Sequence, residues 1–297
     1  MKEKVLVTGY NGALAKRLSC FLEKKYSISY LSSSKKSINN KNIFYWNLEE
    51  DYIDENALVD CQHIIHLSGY NIINRWTKKN KKKMYASRVN TANLLFKKCK
   101  EFNINLKTFI SASAMGYYGL VCEKEVEETS PAGKDWLANL VVDWESAALQ
   151  FKDIGARIIN LRISLMMDKK SGFLKAILLP LKFGVTSIFT PSNLIYSWIY
   201  IDDLSRFILY SLENKEISGP YNMATQNKQT QLEIIKEIRS CVFKYALIFP
   251  IPIFVMKLIL RERSLLIRGG LNLKVDKLLN TGFKLQYKSI SSFLLKK

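Results

Sequence analysis

KVLVTGYNGALA, residues 4–15, is the stretch whose reading decides the fold. Its first five residues are short, apolar and β-branched, as a strand buried on both faces of a parallel sheet should be. Gly9-x-x-Gly12-x-x-Ala15 follows, and then a helical spacing of Leu18, Phe21 and Leu22. Each small residue has a task in a strand–turn–helix that holds a dinucleotide. Gly9 permits the tight turn, Gly12 lets the backbone approach a pyrophosphate, and a small residue at 15 lets helix and strand pack closely. The pyrophosphate then sits on the helix N-terminus, where free N–H groups and the helix dipole favour an anion.

Outward from this stretch the pattern repeats. Strands are expected at 27–31, 43–46, 63–67, 108–112 and 157–163, with helices over 78–102 and 135–151. Strand and helix in alternation, joined by short turns, specify an α/β fold with a doubly wound parallel sheet: an NAD(P)-binding Rossmann domain over residues 1–165. Beyond it, Pro180, Pro191, Pro220, Pro250 and Pro252 punctuate the chain. Helical stretches at 172–183, 202–213 and 232–243 alternate there with strand-like pieces at 197–201 and 220–223, which reads as a smaller C-terminal α/β lobe.

The 297 residues carry 45 Lys+Arg against 26 Asp+Glu, a net charge of +19. Such an excess invites a nucleic-acid or membrane partner. The densest basic run is Lys78, Lys79, Lys81, Lys82 and Lys83, on an expected helix with no interleaved aromatic platform and no nucleic-acid motif beside it. It reads as a solvated helix face, so no specific nucleic-acid partner is expected. The five cysteines are scattered without a CxxC pair, and there are two histidines, so neither a disulfide framework nor a metal site is indicated. The start, MKEKVLVTG, has no apolar core followed by a cleavage site, which points to an intracellular, cytoplasmic protein. The most apolar run, ALIFPIPIFVM at 246–256, holds two prolines between Lys244 and Lys257. A spanning helix needs about 20 residues, so this run is expected to be a buried strand–turn–helix, with no transmembrane segment.

The end of the second strand selects the cofactor. An NAD site places Asp or Glu there for the ribose hydroxyls. No acidic residue stands between Glu23 and Glu49; instead the chain offers Ser32, Ser33, Ser34, Lys35 and Lys36, donors and cations suited to a 2′-phosphate. NADP(H) is the expected cofactor, and NAD(H) stays open.

VTGYNGALA, LSGYNIINRW, SRVNTANLL, SASAMGYYG, DWLANLVVDWESAA, YSWIYIDDL and SGPYNMAT occur in that order. Together they resemble the atypical extended short-chain dehydrogenase/reductases of the nucleoside-diphosphate-sugar epimerase-like family. The tail from Met256 to Tyr287 resembles the small C-terminal domain of unknown function that marks the family. The resemblance covers essentially the whole chain. It implies substrate-lobe segments over 166–245, the small family-specific domain over 246–297, and an epimerase or oxidoreductase activity. It places cofactor contacts at Gly9, Asn11, Gly12 and Leu14, with Ser68 and Gly69 in the turn beside the adenine ribose. Ser111 and Ser113 end the fifth strand, where the catalytic serine of extended members lies. Arg88, which falls where those enzymes usually have Asn, and Ser111 are further expected cofactor contacts. Ala15 replaces the usual third glycine.

Typical members use a Tyr-x-x-x-Lys pair, in which Lys lowers the tyrosine pKa and Tyr exchanges a proton with the substrate oxygen. None of the fifteen tyrosines has Lys four residues on; in the expected helix, counting back eight from Glu145 puts Leu137 where the Tyr and Val141 where the Lys would stand. If chemistry persists, Ser113 and Tyr118 are the candidate catalytic residues, with Tyr117, Trp76 and Arg162 as substrate contacts. The resulting expectation is an NADP(H)-binding oxidoreductase acting on a nucleotide-sugar-like or small carbonyl substrate. The rival is a non-catalytic NADP(H)-binding regulatory or cell-division-associated protein, and a homodimer stays open. His66, in an apolar strand, is expected in the core, Asp202 at a helix cap, and Glu127 and Glu128 on a solvated loop.

Overall fold

A computed structural model describes residues 2–35, 42–120, 124–191, 195–264, 266 and 270–295. In chain order the first half comprises β1 (Lys4–Thr8), α1 (Ala13–Leu22), β2 (Ser27–Ser32), β3 (Ile43–Asn47), β4 (Tyr52–Ile53), α2 (Glu55–Leu58), β5 (Cys61–His66), α3 (Lys78–Tyr85), α4 (Thr91–Glu101) and β6 (Thr108–Ala114). After it come β7 (Glu125–Val126), α5 (Trp136–Leu149), β8 (Arg157–Ile163), β9 (Leu165–Met167), α6 (Gly172–Leu181), β10 (Val185–Thr190), β11 (Trp198–Tyr200) and α7 (Ile201–Glu213). The last elements are β12 (Gly219–Met223), α8 (Gln231–Val242), β13 (Leu247–Pro252), α9 (Ile253–Leu260), β14 (Asn272–Leu273) and short helices at Asp276–Asn280 and Ser291–Leu294.

The large sheet has eight strands in the order β12-β8-β6-β5-β1-β2-β3-β4. The pairs β1–β2, β2–β3, β1–β5 and β5–β6 are parallel, and β4 closes one edge antiparallel. From β1 the chain winds outward through β2 and β3, then returns to β5 on the other side of β1. This reversal of direction is the switch point at which an open α/β sheet opens a crevice for a ligand. The doubly wound α/β reading of the sequence therefore holds.

The chain divides into two compact units, each assembled from three stretches. Unit one comprises Met1–Ser113, Asn139–Leu161 and Ser205–Pro220; unit two comprises Ala114–Ala138, Arg162–Leu204 and Tyr221–Lys297. The core of unit one gathers Leu6, Leu31, Ile64, Leu95, Phe109 and Phe151. Phe109 and Phe151 stack with centroids 3.7 Å apart. The core of unit two gathers Leu174, Trp198, Ile234, Ile238, Ile290 and Phe293.

Three local expectations are corrected. The helix expected over 78–102 is interrupted by a wide π-type turn at Ala86–Asn90. Side chains there compete for its carbonyls: Thr91 Oγ1 donates to Ser87 O at 2.9 Å, and His66 Nε2 approaches Arg88 O at 3.1 Å. The run 246–256 is a strand leading into a helix, but it is buried only in part, through Ala246 and Ile248. Leu247, Phe249 and Phe254 are exposed, and α9 has no buried residue among those described. Asp202 stands inside the first turn of α7 and not at its cap. Among the described residues, no helix is long and apolar enough to cross a membrane, and no group of three His, Cys, Asp or Glu could hold a metal ion.

Candidate functional site

A groove of about 250 Å³ opens in unit one at the C-terminal ends of β1 and β2. Gly9 turns the chain there with φ of +75°, and a Cβ on it would stand 2.8 Å from Leu67 O. Glycine is therefore required twice over, by conformation and by the approach of the β5 turn. The Gly12 N–H closes the turn on Gly9 O at 2.8 Å. Gly12 then caps α1 with extended backbone, no side-chain cap and no acidic residue in the first turn. The first N–H groups of α1 are thus left for an anion.

Six of the residues expected from the sequence line this groove: Gly9, Asn11, Gly12, Ser32, Ser33 and Gly69. Leu14 and Ser68 are buried beside it and are not among the lining residues. The Lys35 ammonium lies over the Tyr45 ring, 5.1 Å from its centre. Lys36 lies outside the described residues. Tyr10 and Trp46 also line the groove; sequence reading missed both. The signal was positional, since Trp46 nears the C-terminal end of β3 as Ser32 does that of β2.

A buried network fixes the floor between β1 and β5. Thr8 Oγ1 accepts from Leu67 N and Ser68 N at 3.0 and 3.1 Å. Its own proton is then directed at His66 Nδ1, 3.0 Å away. That leaves Nε2 as the protonated nitrogen, donating to Arg88 O. His66 is fully buried, and burial lowers its pKa to about 4, so the ring is neutral. It is a core histidine, as the sequence suggested. The Arg88 guanidinium donates through Nη1 to Tyr70 O at 3.0 Å and Met84 O at 3.1 Å, and lies 5.2 Å from the Trp144 ring centre. Burial lowers its pKa to about 10. Nη2 packs where a Cβ on Gly69 would be, 3.0 Å from it. Arg88 therefore adjoins a residue that lines the groove.

At the end of β6, Ser111 donates to the adjacent Ala112 O at 2.8 Å and is turned within the strand. Ser113 is buried and donates to Glu145 Oε1 at 2.6 Å. Glu145 stands on α5, one helical turn beyond Val141, and is itself buried, so the bond is sheltered from water. The sequence reading used Glu145 as a landmark and missed it as a partner. Leu137 and Val141 are both buried.

Unit two holds the remaining candidates. Tyr118 donates to Asn222 Oδ1 at 2.7 Å and accepts from Arg162 Nη1 at 3.0 Å. Burial pushes its pKa up to about 12, against the opposing pull of Arg162. The Arg162 guanidinium, itself buried, also donates to Glu128 O and lies face-on to Tyr117, 3.4 Å from the ring centre. Glu128 accepts from Asn222 N at 2.8 Å, so it is part of this network and not merely a solvated loop residue. Glu127 is exposed and pairs with Lys274 at 3.3 Å. Ser113 and Tyr118 thus fall in different units, each engaged within its own. Trp76, in unit one, donates its indole N–H to Ile72 O at 2.9 Å.

The groove fits a dinucleotide on three observations: a glycine turn that a Cβ would block, an uncapped helix start without acidic residues, and hydroxyls at the end of β2 in place of a carboxylate. The comparisons agree with that geometry. The model of the NAD dependent epimerase/dehydratase family matches residues 5–224. Epimerase family protein YfhF of Bacillus subtilis is 29% identical over 290 residues, covering 96% of this chain and 95% of that protein. The crystal structure of human epimerase family protein SDR39U1 with NADPH superposes with a TM-score of 0.87 at 23% identity, over 98% of this chain and 97% of that one. UDP-glucuronic acid 4-epimerase from Bacillus cereus, in complex with UDP-glucuronic acid and NAD, gives 0.77 at 19% identity, over 98% and 96%.

Proposed function

This chain belongs to the NAD-dependent epimerase/dehydratase family, and from that premise we propose that it is an NADP(H)-binding oxidoreductase of small carbonyl or nucleotide-sugar-like compounds. The observation that carries the cofactor preference is the end of β2, where Ser32 and Ser33 line the groove and Lys35 stands nearby with no acidic side chain among the lining residues. A carboxylate there would repel a 2′-phosphate; hydroxyls and an ammonium attract it. The human relative with NADPH is in keeping with this choice. In this reading Gly9, Gly12 and the start of α1 hold the pyrophosphate, and Gly69, with Arg88 packed against it, borders the adenine ribose.

When bound, the cofactor supplies a hydride; the chain must supply the proton. Ser113 Oγ is our candidate, with Glu145 behind it to take up or return that proton. Tyr118 is better suited to positioning, because both faces of its hydroxyl are taken by Asn222 and Arg162. Tyr117, Arg162 and Trp76 are assigned to the substrate, and the 166–245 segments to the lobe that holds it. One observation favours the second reading, a non-catalytic NADP(H)-binding regulator: Leu137 and Val141 are buried apolar residues at the two positions where a proton-transferring pair would stand.

Calorimetric titration with NADPH and NADH in parallel tests the cofactor assignment. NADPH is expected to bind at least about tenfold more tightly, a difference of about 1.4 kcal/mol, and Lys35→Glu to narrow that gap. Equal affinities would overturn the preference, and no binding of either would overturn the function. NADPH consumption with a panel of carbonyl compounds and nucleotide sugars then separates the two readings, since binding without turnover of any of them favours the regulator.

A further inference from the structure

The two-stranded ribbon of unit two breaks the rule that a half-solvated sheet alternates apolar-in and polar-out. β10 and β13 are parallel, with Val185 opposite Leu247 and Ser187 opposite Phe249. Thr186, Ile188 and Ile248 turn inward, the two isoleucines onto the core of unit two. Successive strand residues point to opposite faces, so Val185, Leu247, Phe249 and Ile251 share the outer face. Apart from Ser187 that face is apolar too, and Leu247 and Phe249 are exposed on it.

The apolar surface continues at both ends of the ribbon. At its start Phe183 is 79% exposed, and the Phe243 ring lies 3.4 Å from where a Cβ on Gly184 would be. Tyr245, 75% exposed, meets that ring at a centroid separation of 6.5 Å. At its far end α9, IFVMKLIL, follows β13 without a break, and Leu258 is 78% exposed. Large side chains this exposed, grouped together, mark a surface built to be covered.

Charge says what covers it. Lys182, Lys244, Lys257 and Arg261 rim the patch and are exposed. Glu262 is the sole acidic residue in 240–263, and 175–191 contains none. A second copy of this chain would bring two basic rims together, on molecules that each carry +19. An anionic bilayer presents the opposite charge around an apolar interior. At eight residues α9 is far short of the roughly 20 that span a bilayer, but an apolar helix with flanking cations can lie in the headgroup plane.

We propose that the outer face of the β10–β13 ribbon, with α9, docks this protein onto an anionic lipid bilayer surface. Phe254 and Leu258 enter the acyl boundary, while Lys244 and Lys257 meet lipid phosphates. The test is co-sedimentation of the full-length chain with vesicles of phosphatidylcholine alone and of phosphatidylcholine with roughly 30% phosphatidylglycerol. Retention is expected on the anionic vesicles only and is weakened by added salt. The double variant Phe254→Asp/Leu258→Asp changes two exposed positions, so circular dichroism and thermal unfolding should match the parent while retention falls at least about tenfold. Lys244→Gln/Lys257→Gln should weaken retention without altering the fold. Absence of retention on anionic vesicles overturns the proposal, as does undiminished retention of the Asp variant. A concentration-dependent dimer that the Asp variant dissolves, with no vesicle retention, assigns the face to a second copy and also overturns it.

Discussion

Single residues in this chain answer to two kinds of constraint, conformation and satisfaction. Gly9 is bound by both, with φ of +75° and the Leu67 carbonyl 2.8 Å from any added Cβ. Gly9→Ala should cost roughly 1–3 kcal/mol of stability from backbone strain and close the groove as well. Chemical unfolding and NADPH titration would detect the two losses separately. His66 gives a pH signature. Its pKa falls from 6.5 to about 4 on folding, so the unfolded chain binds the proton more readily. The stability it contributes is complete above pH 6.5 and is lost as pH falls towards 4. Between about pH 7.5 and about pH 5 this amounts to about 2 kcal/mol. Unfolding curves of the parent and of His66→Gln should converge by that amount at the lower pH.

At the scale of elements, the juxtaposition of β6 and α5 carries the chemistry. Ser113 and Glu145 are buried together, so removing either one takes a buried hydrogen bond from the other. Ser113→Ala and Glu145→Ala should each cost about 1–3 kcal/mol, and the double variant less than their sum, in denaturant titrations arranged as a double-mutant cycle. The Phe109–Phe151 stack joins β6 to the segment after α5. Phe151→Ala should cost roughly 3–5 kcal/mol by the same measurement, because the ring is fully buried and stacked on Phe109. Most of these elements were legible in advance, since strands such as Lys4–Thr8 and Arg157–Ile163 are marked by β-branched apolar runs. The π-type turn at Ala86–Asn90 was not. Its cause is side chains of Thr91 and of the distant His66 taking carbonyls that a regular helix would use, which helical periodicity does not record.

For the whole molecule, ligand and charge set the observable behaviour. A cofactor that binds only the folded chain should raise its stability by about 2.7 kcal/mol at a hundredfold excess over Kd, read as a rise in Tm with NADPH concentration. With +19 on the chain, the affinity for NADPH should fall as salt is added. The division into two units, each built from three stretches, had no counterpart in composition. The chain crosses between units inside β6, α5, β8, α7 and β12, where hydrophobic patterning runs on unbroken.

The sequence by itself determined the strand–turn–helix that makes the groove, the alternation that winds the sheet, and the absence of an acidic residue at the end of β2. These are local properties, written in glycine positions and side-chain period, and they survive any change in distant contacts. Only the tertiary structure decided which side chains meet. It paired Ser113 with Glu145, closed Tyr118 between Asn222 and Arg162, and brought Trp46 to the groove. It also left Leu247, Phe249 and Phe254 of the 246–256 run exposed, where hydropathy had suggested burial. Hydropathy measures the preference of a segment for leaving water; whether the chain itself supplies a covering surface depends on packing that no segment encodes alone.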